Sequence, residues 1–216
     1  SRSYELSRFL WNDQRGEVLV FVDDDIGFGA QDFVHLVETC LQTREIACGM
    51  YVVRRTEPPH PAIRALPGQQ VRMGDGPAVP IKYAATGFFA IHREALARIE
   101  AEYPWGHDLP VYSGQRWMVP FCQEFCHEGE YLSEDYSLGE RAARLGIKTW
   151  LDPRISLSHL GERAYTLKDL QANAYTRQVT ITIDEGGPDP SNVLNDLAEY
   201  RGETRAATWR RLLAFP

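Results

Sequence analysis

A short apolar segment that ends in three aspartates constrains the fold of this chain more than any other part of the sequence. Residues 18–22 are Val-Leu-Val-Phe-Val, and residues 23–25 are all aspartate. An apolar, β-branched run of this length, between Gly16 and Gly27, is typical of a buried strand. The acids then lie at the carboxyl end of the strand, where open α/β sheets place their ligands.

The three aspartates have two simple interpretations. Carboxylates packed side by side repel one another unless a cation lies between them. Hard oxygen ligands suit Mg²⁺ or Mn²⁺, which commonly bind together with a phosphate group. A solvated acidic turn explains the same residues, so a metal site needs support from other parts of the chain.

Composition excludes some classes of function. The 216 residues carry a formal net charge of −7, which argues against a broad basic surface for duplex nucleic acid. The four cysteines have no disulfide-framework spacing, so we expect reduced thiols and a cytoplasmic protein. No apolar run in the sequence approaches the length that a transmembrane helix needs.

Hydrophobic periodicity and turn residues predict alternating helices and strands. The predicted helices are 1–11, 32–41, 93–99, 133–146, 166–178 and 192–215, and the predicted strands are 18–22, 46–53, 81–92, 148–151, 155–159 and 179–183. Residues 56–80 and 103–129 are expected to be long loops. We therefore predict an α/β domain over residues 1–165 and a helix–strand–helix extension over residues 166–216.

Two groups of residues near the predicted loops each have two possible roles. Arg54 and Arg55 precede the first loop, where phosphate oxygens and solvated salt bridges suit them equally. Cys122, Cys126 and His127 in the second loop are candidates for zinc. Their spacing is weak for that metal, and packed thiols are the favoured interpretation.

A second acidic pair opens the helix predicted at residues 133–146. Ser133 suits the N-cap, and Glu134 and Asp135 occupy the first turn, where the helix dipole favours anions. Capping explains both acids as well as a catalytic role does. His159 ends a later strand and is free to reach a metal, although a structural role explains a single histidine too.

Taken together, these motifs resemble the GT-A fold of nucleotide-sugar glycosyltransferases. A D-x-D strand end, an E-D pair and an H-x-G histidine occur in that order, within FVDDDIGF, YLSEDYSLGERAARLG and HLGERAY, and AATGFFAIHR is similar as well. The resemblance covers residues 1–165. It implies a GT-A-type glycosyltransferase catalytic domain with a Rossmann-like mixed sheet flanked by helices. It also implies transfer of a sugar from a UDP- or GDP-sugar to an acceptor hydroxyl, with inversion.

The resemblance also implies roles on the donor side. Asp25 and His159 are similar to the ligands of a bound Mn²⁺ or Mg²⁺, and Asp23 to the residue near the ribose or to a second metal contact. Asp24 takes the variable middle position of the donor-binding motif. The metal would neutralise the diphosphate leaving group.

On the acceptor side, Asp135 resembles the general base and Glu134 its positioning companion. Thr86 and Gly87 resemble the stretch that lines the sugar pocket, and a glycine inside an apolar strand is typical of a close backbone approach. Arg2 resembles a positive residue that contacts the nucleotide at the start of the first helix.

One departure from the family pattern leaves alternatives open. GT-A enzymes begin with a strand and loop that hold the base, whereas this sequence opens with a predicted helix. We expect either a fragment or a partner that completes the nucleotide pocket. The competing functions are a non-catalytic nucleotide-sugar and metal-binding module, a nucleotidyltransferase, which should show a glycine-rich basic loop, and a two-metal nuclease.

Overall fold

A computed structural model describes six parts of the chain, which are residues 2–12, 16–54, 59–103, 118–161, 164–170 and, as backbone, 180–183. The helices in these parts are α1 (Arg2–Asn12), α2 (Ala30–Thr43), α3 (Arg93–Glu102) and α4 (Glu134–Arg144). The strands are β1 (Val18–Val22), β2 (Ile26–Gly27), β3 (Ile46–Cys48), β4 (Ile63–Arg64), β5 (Gln70–Met73), β6 (Val79–Ile81), β7 (Tyr83–Ala84), β8 (Phe88–His92), β9 (Phe125–His127), β10 (Glu130–Leu132), β11 (Thr149–Leu151), β12 (Ser158–Leu160), β13 (Ala164–Thr166) and β14 (Thr180–Ile183).

A mixed five-stranded sheet forms the centre of the fold, in the order β1-β8-β3-β11-β6. Strands β1 and β3 are both antiparallel to β8, and β11 is parallel to β3. The carboxyl ends of β1, β3 and β11 therefore meet at one end of the sheet. A smaller three-stranded sheet, β13-β12-β2, follows the end of β1.

Helices cover both faces of the sheet. Ile46 and Cys48 of β3 pack in a core with side chains of α1, α3 and α4, whereas Ala47 between them packs in a second core with α2. This alternation follows from the period of two in a strand. Each fully buried Ile or Leu contributes about 1.5–3 kcal/mol of transfer free energy. The prediction of a mixed sheet flanked by helices is confirmed.

Strand β1 has the predicted bounds but not the predicted burial. All five of its residues are half-buried. It lies at the edge of the sheet, where β8 is its neighbour in the strand order, so its side chains have less cover than those of a central strand. An apolar run predicts burial, but position in the sheet decides how complete that burial is.

The predicted strands around the first loop are shorter than expected. Strand β3 ends at Cys48, and Val52 forms only an isolated bridge with Pro61. The predicted strand at 81–92 is divided, because Gly87 separates β7 from β8.

The segment predicted as a loop at residues 56–80 contributes β4, β5 and part of β6 within its described portion. Pro80 lies in β6 opposite Trp150, at the outer edge of the central sheet. An edge strand tolerates proline because one side of its backbone forms no ladder. The proline and glycine content of this segment predicted a loop, so the edge strand β6 was not predicted.

The chain after residue 165 continues the same packing where it is described. Leu167 and Leu170 belong to the core that α1, α3 and α4 form. The predicted helix at 166–178 begins as a single 3₁₀ turn, and the strand predicted at 179–183 is β14, which pairs with β5. The remainder of that helix and the helix predicted at 192–215 lie outside the described residues.

Other predictions for this part of the fold have mixed outcomes. The second predicted loop contains β9, which pairs with β10 just after the loop, and its residues 104–117 lie outside the described residues. The domain boundary at residue 165 stays a prediction.

In the described parts of the chain, no helix combines the length and the apolar character that crossing a bilayer requires.

Two buried carboxylates hold the segment that leads to β12. Asp32 of α2 accepts a 2.8 Å hydrogen bond from the backbone N–H of Ser156, and burial raises the pKa of Asp32. Asp152 accepts hydrogen bonds from Thr39 (2.8 Å) and from the guanidinium of Arg154 (2.6 Å). Burial alone would raise the pKa of Asp152, but these hydrogen bonds outweigh it and lower that pKa.

Candidate functional site

Backbone pairing brings Asp25 and His159 together. His159 lies opposite Ile26 in the β2–β12 pair, and the N–H of Leu160 donates a 2.8 Å hydrogen bond to the backbone oxygen of Asp25. The side chains approach across this pairing, with Nε2 of His159 3.5 Å from Oδ2 of Asp25. The first and last motifs of the sequence therefore meet at the carboxyl end of β1.

The imidazole of His159 is oriented by two neighbours. Its Nδ1 lies 2.7 Å from the carbonyl oxygen of Val52. Because a carbonyl only accepts, Nδ1 must carry a hydrogen, and a neutral ring then presents the lone pair of Nε2 to Asp25. The Tyr51 ring packs edge-on against the imidazole, with 5.1 Å between centroids. Such outer contacts are typical of histidines that bind metals.

Arg54 also contacts Asp25. Its Nη2 lies 2.6 Å from Oδ2 of Asp25, the same oxygen that faces His159. Its Nη1 donates a 2.7 Å hydrogen bond to the backbone oxygen of Leu160. One carboxylate oxygen is thus shared by a guanidinium and an imidazole nitrogen.

Arg2, at the start of α1, joins the other acids. Its Nη2 donates to Oδ1 and Oδ2 of Asp23 at 2.9 and 3.0 Å, and its Nη1 contacts the carboxylate of Glu134. Oδ1 of Asp135 is 3.5 Å from Nη1. Burial acts to lower the pKa of Arg2, but the three carboxylates outweigh it and raise that pKa. Arg2 therefore joins α1, the end of β1 and the start of α4.

Thr86 and Gly87 connect the D-x-D strand to α4. Thr86 is fully buried, and its hydroxyl donates a 2.5 Å hydrogen bond to Oδ1 of Asp135. The carbonyl oxygen of Gly87 accepts a 2.9 Å hydrogen bond from the N–H of Asp23. These two residues, predicted to line the sugar pocket, thus contact both acidic motifs.

Gly87 faces the hydroxyl of Tyr51. A Cβ at Gly87 would lie 2.5 Å from Tyr51 Oη and 2.7 Å from Cζ, so only glycine lets the ring occupy its position. Burial raises the pKa of Tyr51, and the charges of Asp135 and Asp23 raise it further. Tyr51 stays a neutral phenol between His159 and the acids.

The predicted donor and acceptor residues fall into two adjoining groups. Asp25 and His159 form one group, and Asp23, Glu134 and Asp135 form the other around Arg2. Asp24 is exposed in the turn between β1 and β2 and takes part in none of the contacts given above.

The donors of the first group fit a divalent ion in part. A carboxylate oxygen and an imidazole nitrogen are ligands that Mn²⁺ accepts, and an octahedral ion completes its shell with phosphate and water oxygens. Asp23 pairs with Arg2 instead of completing a three-residue set. Among the residues with described positions, no three His, Cys, Asp or Glu side chains form a group that holds a metal.

Cys122 and Cys126, considered above for zinc, also belong to no such group among the described residues. Cys122 is buried, and burial raises the pKa of its thiol to about 12, whereas Cys126 is exposed. The packed-thiol interpretation therefore holds for Cys122.

Ser133 has the backbone conformation of the predicted N-cap, but its side chain forms no capping hydrogen bond. The backbone oxygen of Ser133 accepts the first hydrogen bond of the helix, from the N–H of Ser137 at 2.8 Å. Glu134 and Asp135 lie in the first turn, so the helix dipole still accounts for acids at these positions. Their described partners are Arg2 and Thr86.

Sequence reasoning missed Tyr51 and left the partner of Arg54 undefined. Tyr51 is an aromatic residue in an apolar run, and nothing local separates it from a core residue. The available signal for Arg54 was its position directly after the apolar run at residues 46–53, which predicts a strand end.

Comparisons with known proteins gave different results for sequences and for solved structures. No family model matches the sequence, and a search of curated proteins gives no match. Among solved structures, the chain is similar to one titled "Crystal Structure of A197 from STIV", with 14% identity and a TM-score of 0.48. The similarity covers 82% of this chain and 79% of that one.

Proposed function

We propose that this protein is a metal-dependent GT-A-type glycosyltransferase that moves a sugar from a nucleotide-sugar donor to an acceptor hydroxyl. The observation that carries the proposal is the approach of His159 Nε2 to Asp25 Oδ2, 3.5 Å apart, at the end of the D-x-D strand. With Nδ1 bound to the Val52 carbonyl, Nε2 of His159 is the ring nitrogen left to share a metal ion with the carboxylate of Asp25. A divalent cation bound there would be coordinated by both side chains.

On the donor side, Asp25 and His159 would hold Mn²⁺ or Mg²⁺. The ion supplies electrostatic stabilisation of the diphosphate leaving group when it is bound. Asp23 and Arg2 lie beside this point, where the ribose and phosphates of a UDP- or GDP-sugar would bind. Arg2 is suited to phosphate because a guanidinium presents several N–H donors in a fixed geometry.

On the acceptor side, Asp135 acts as the general base. Thr86 occupies its Oδ1, so we assign proton acceptance to Oδ2. The acceptor oxygen forms a bond to the anomeric carbon, its proton passes to Asp135, and the bond from that carbon to the phosphate oxygen breaks. The electron pair leaves with the nucleoside diphosphate. Attack from the face opposite the leaving group inverts the anomeric configuration.

Screening nucleotide sugars with Mn²⁺ tests the proposal. The wild-type protein should release nucleoside diphosphate from one of them, and both Asp25→Ala and His159→Ala should lose Mn²⁺ affinity together with that release. Pyrophosphate as the product would instead identify a nucleotidyltransferase. Full Mn²⁺ affinity in His159→Ala would contradict the assigned ligand.

A non-catalytic binding module is the second candidate, because arginines already neutralise both outer acids of the D-x-D motif. Arg2 pairs with Asp23, and Arg54 pairs with Asp25. Nucleotide-sugar binding with no release of nucleoside diphosphate, across the same donor screen with candidate acceptors added, would favour the module.

A further inference from the structure

Arg54 occupies the oxygen that a metal at the site would need. Its Nη2 lies 2.6 Å from Oδ2 of Asp25, and this is the oxygen that faces Nε2 of His159. The guanidinium is also tied to the backbone oxygen of Leu160 by a 2.7 Å hydrogen bond from Nη1. A second anchor of this kind keeps the charged group beside Asp25 rather than free in solvent.

A divalent ion bound to Asp25 Oδ2 would therefore lie close to a permanent positive charge. Arginine does not lose its proton in proteins, so the repulsion cannot be relieved by titration. The side chain of Arg54 is 37% exposed, so water screens part of the repulsion between the guanidinium and a bound cation. The part that remains weakens cation binding. Without another anion, Arg54 competes with a metal for Asp25.

A diphosphate removes this conflict. Its oxygens accept paired N–H bonds from a guanidinium and also coordinate divalent ions. With a diphosphate in place, Arg54 can exchange Asp25 for phosphate oxygens while Nη1 stays near Leu160. Asp25 is then released to the ion.

We propose that Arg54 makes cation binding at Asp25 and His159 conditional on a diphosphate, so that the metal and the nucleotide bind cooperatively. This inference rests on the proposed function, because it concerns the same site. Thermodynamic linkage requires the coupling to be mutual, so the metal must also increase the affinity for the diphosphate.

The test measures Mn²⁺ binding by electron paramagnetic resonance in wild-type protein and in Arg54→Gln. The matched control is Arg44→Gln. Arg44 follows the C-terminal end of α2, whereas the site lies before the N-terminal end of that helix, and Arg44 forms an ion pair with Glu94. Each protein is titrated alone, with UDP or GDP, with pyrophosphate and with uridine. Direct Mn²⁺ binding to each anion is measured separately and subtracted.

In the absence of anion, Arg54→Gln should bind Mn²⁺ about tenfold more tightly than wild type, since the competing charge is gone. Pyrophosphate or a nucleoside diphosphate should tighten Mn²⁺ binding about tenfold in wild type and in Arg44→Gln, and much less in Arg54→Gln. Uridine should have no effect, because it carries no phosphate.

Two results overturn the inference in distinguishable ways. Equal Mn²⁺ affinity in wild type and Arg54→Gln, with the same anion effect in both, removes the role of Arg54 but leaves the proposed metal site intact. No Mn²⁺ binding in any variant, with or without anion, overturns the inference and the proposed function together. Circular dichroism of Arg54→Gln confirms that the variant is folded.

Discussion

The hydroxyl of Thr86 donates a 2.5 Å hydrogen bond to Oδ1 of Asp135. Thr86 is fully buried just before β8, and Asp135 lies in the first turn of α4, so this bond joins the central sheet to the helix that carries the proposed base. It fixes which oxygen of Asp135 faces the protein interior. The orientation of the base therefore depends on a residue far from it in sequence.

Replacing Thr86 with valine keeps the shape of the side chain and removes the donor. We expect kcat to fall about tenfold, since a hydrogen bond to a charged group is worth about 1.5–3 kcal/mol. Mn²⁺ affinity should stay unchanged, and Thr86→Ser should retain most of the activity. An unchanged kcat in Thr86→Val would show that the bond has no part in positioning Asp135.

Replacing Asp135 with asparagine removes the proton acceptor but preserves size and hydrogen bonding to Thr86. Transfer should fall by about 100-fold or more, the usual effect of losing a general base. Binding of Mn²⁺ and of the donor should change little. Glu134→Gln is the control and should lower the rate less. Parallel loss of donor binding and rate in Asp135→Asn would assign the residue to structure.

A methyl group at Gly87 should disturb the proposed metal site through Tyr51. Gly87→Ala places a carbon 2.5 Å from Tyr51 Oη, so the ring must move from its packing against His159. We expect the variant to lose about 1–3 kcal/mol of unfolding free energy and to bind Mn²⁺ more weakly. Denaturant unfolding and Mn²⁺ titration measure the two effects.

Gly139→Ala serves as the control for this prediction. The nearest atoms to its Cβ would all belong to Tyr83, with Cδ1 at 3.1 Å and Cα and Cβ at 3.8 Å, so its Mn²⁺ affinity should match wild type. Normal Mn²⁺ affinity in Gly87→Ala would show that Tyr51 does not hold the imidazole in place.

Acid should destabilise the protein partly through Asp152. The folded state lowers the pKa of this carboxyl, whose ordinary value is 3.8, by hydrogen bonds from Arg154 and Thr39 that outweigh burial. Its contribution is therefore present above the unfolded pKa and is lost as the pH falls through the folded pKa.

Asp152→Asn should cost about 1–3 kcal/mol of unfolding free energy at pH 7. Because asparagine does not titrate, the further loss between pH 7 and pH 3 should be smaller in the variant than in wild type. Urea denaturation at the two pH values measures this difference. Asp75→Asn, at an exposed turn residue, should behave as wild type. An equal acid-induced loss in Asp152→Asn would contradict the role of this carboxyl.

Much of the fold could be predicted from local patterns. The bounds of β1 and the positions of α1, α2 and α4 follow from apolar spacing, and the burial of Cys40 follows from the periodicity of α2. The strands within residues 56–80 could not be predicted in this way, because β6 contains a proline and depends on pairing with the distant β11.

The candidate site shows the same division. The sequence alone determined that acids follow a strand, that an acidic pair opens a helix and that a histidine lies near the end of a later strand, because each is a local pattern. Only the tertiary structure decided that Asp25 meets His159, that Arg2 and Arg54 neutralise the acids, and that Tyr51 packs behind the imidazole. These contacts join segments that sheet pairing brings together, and local propensity carries no information about which distant segments will pair.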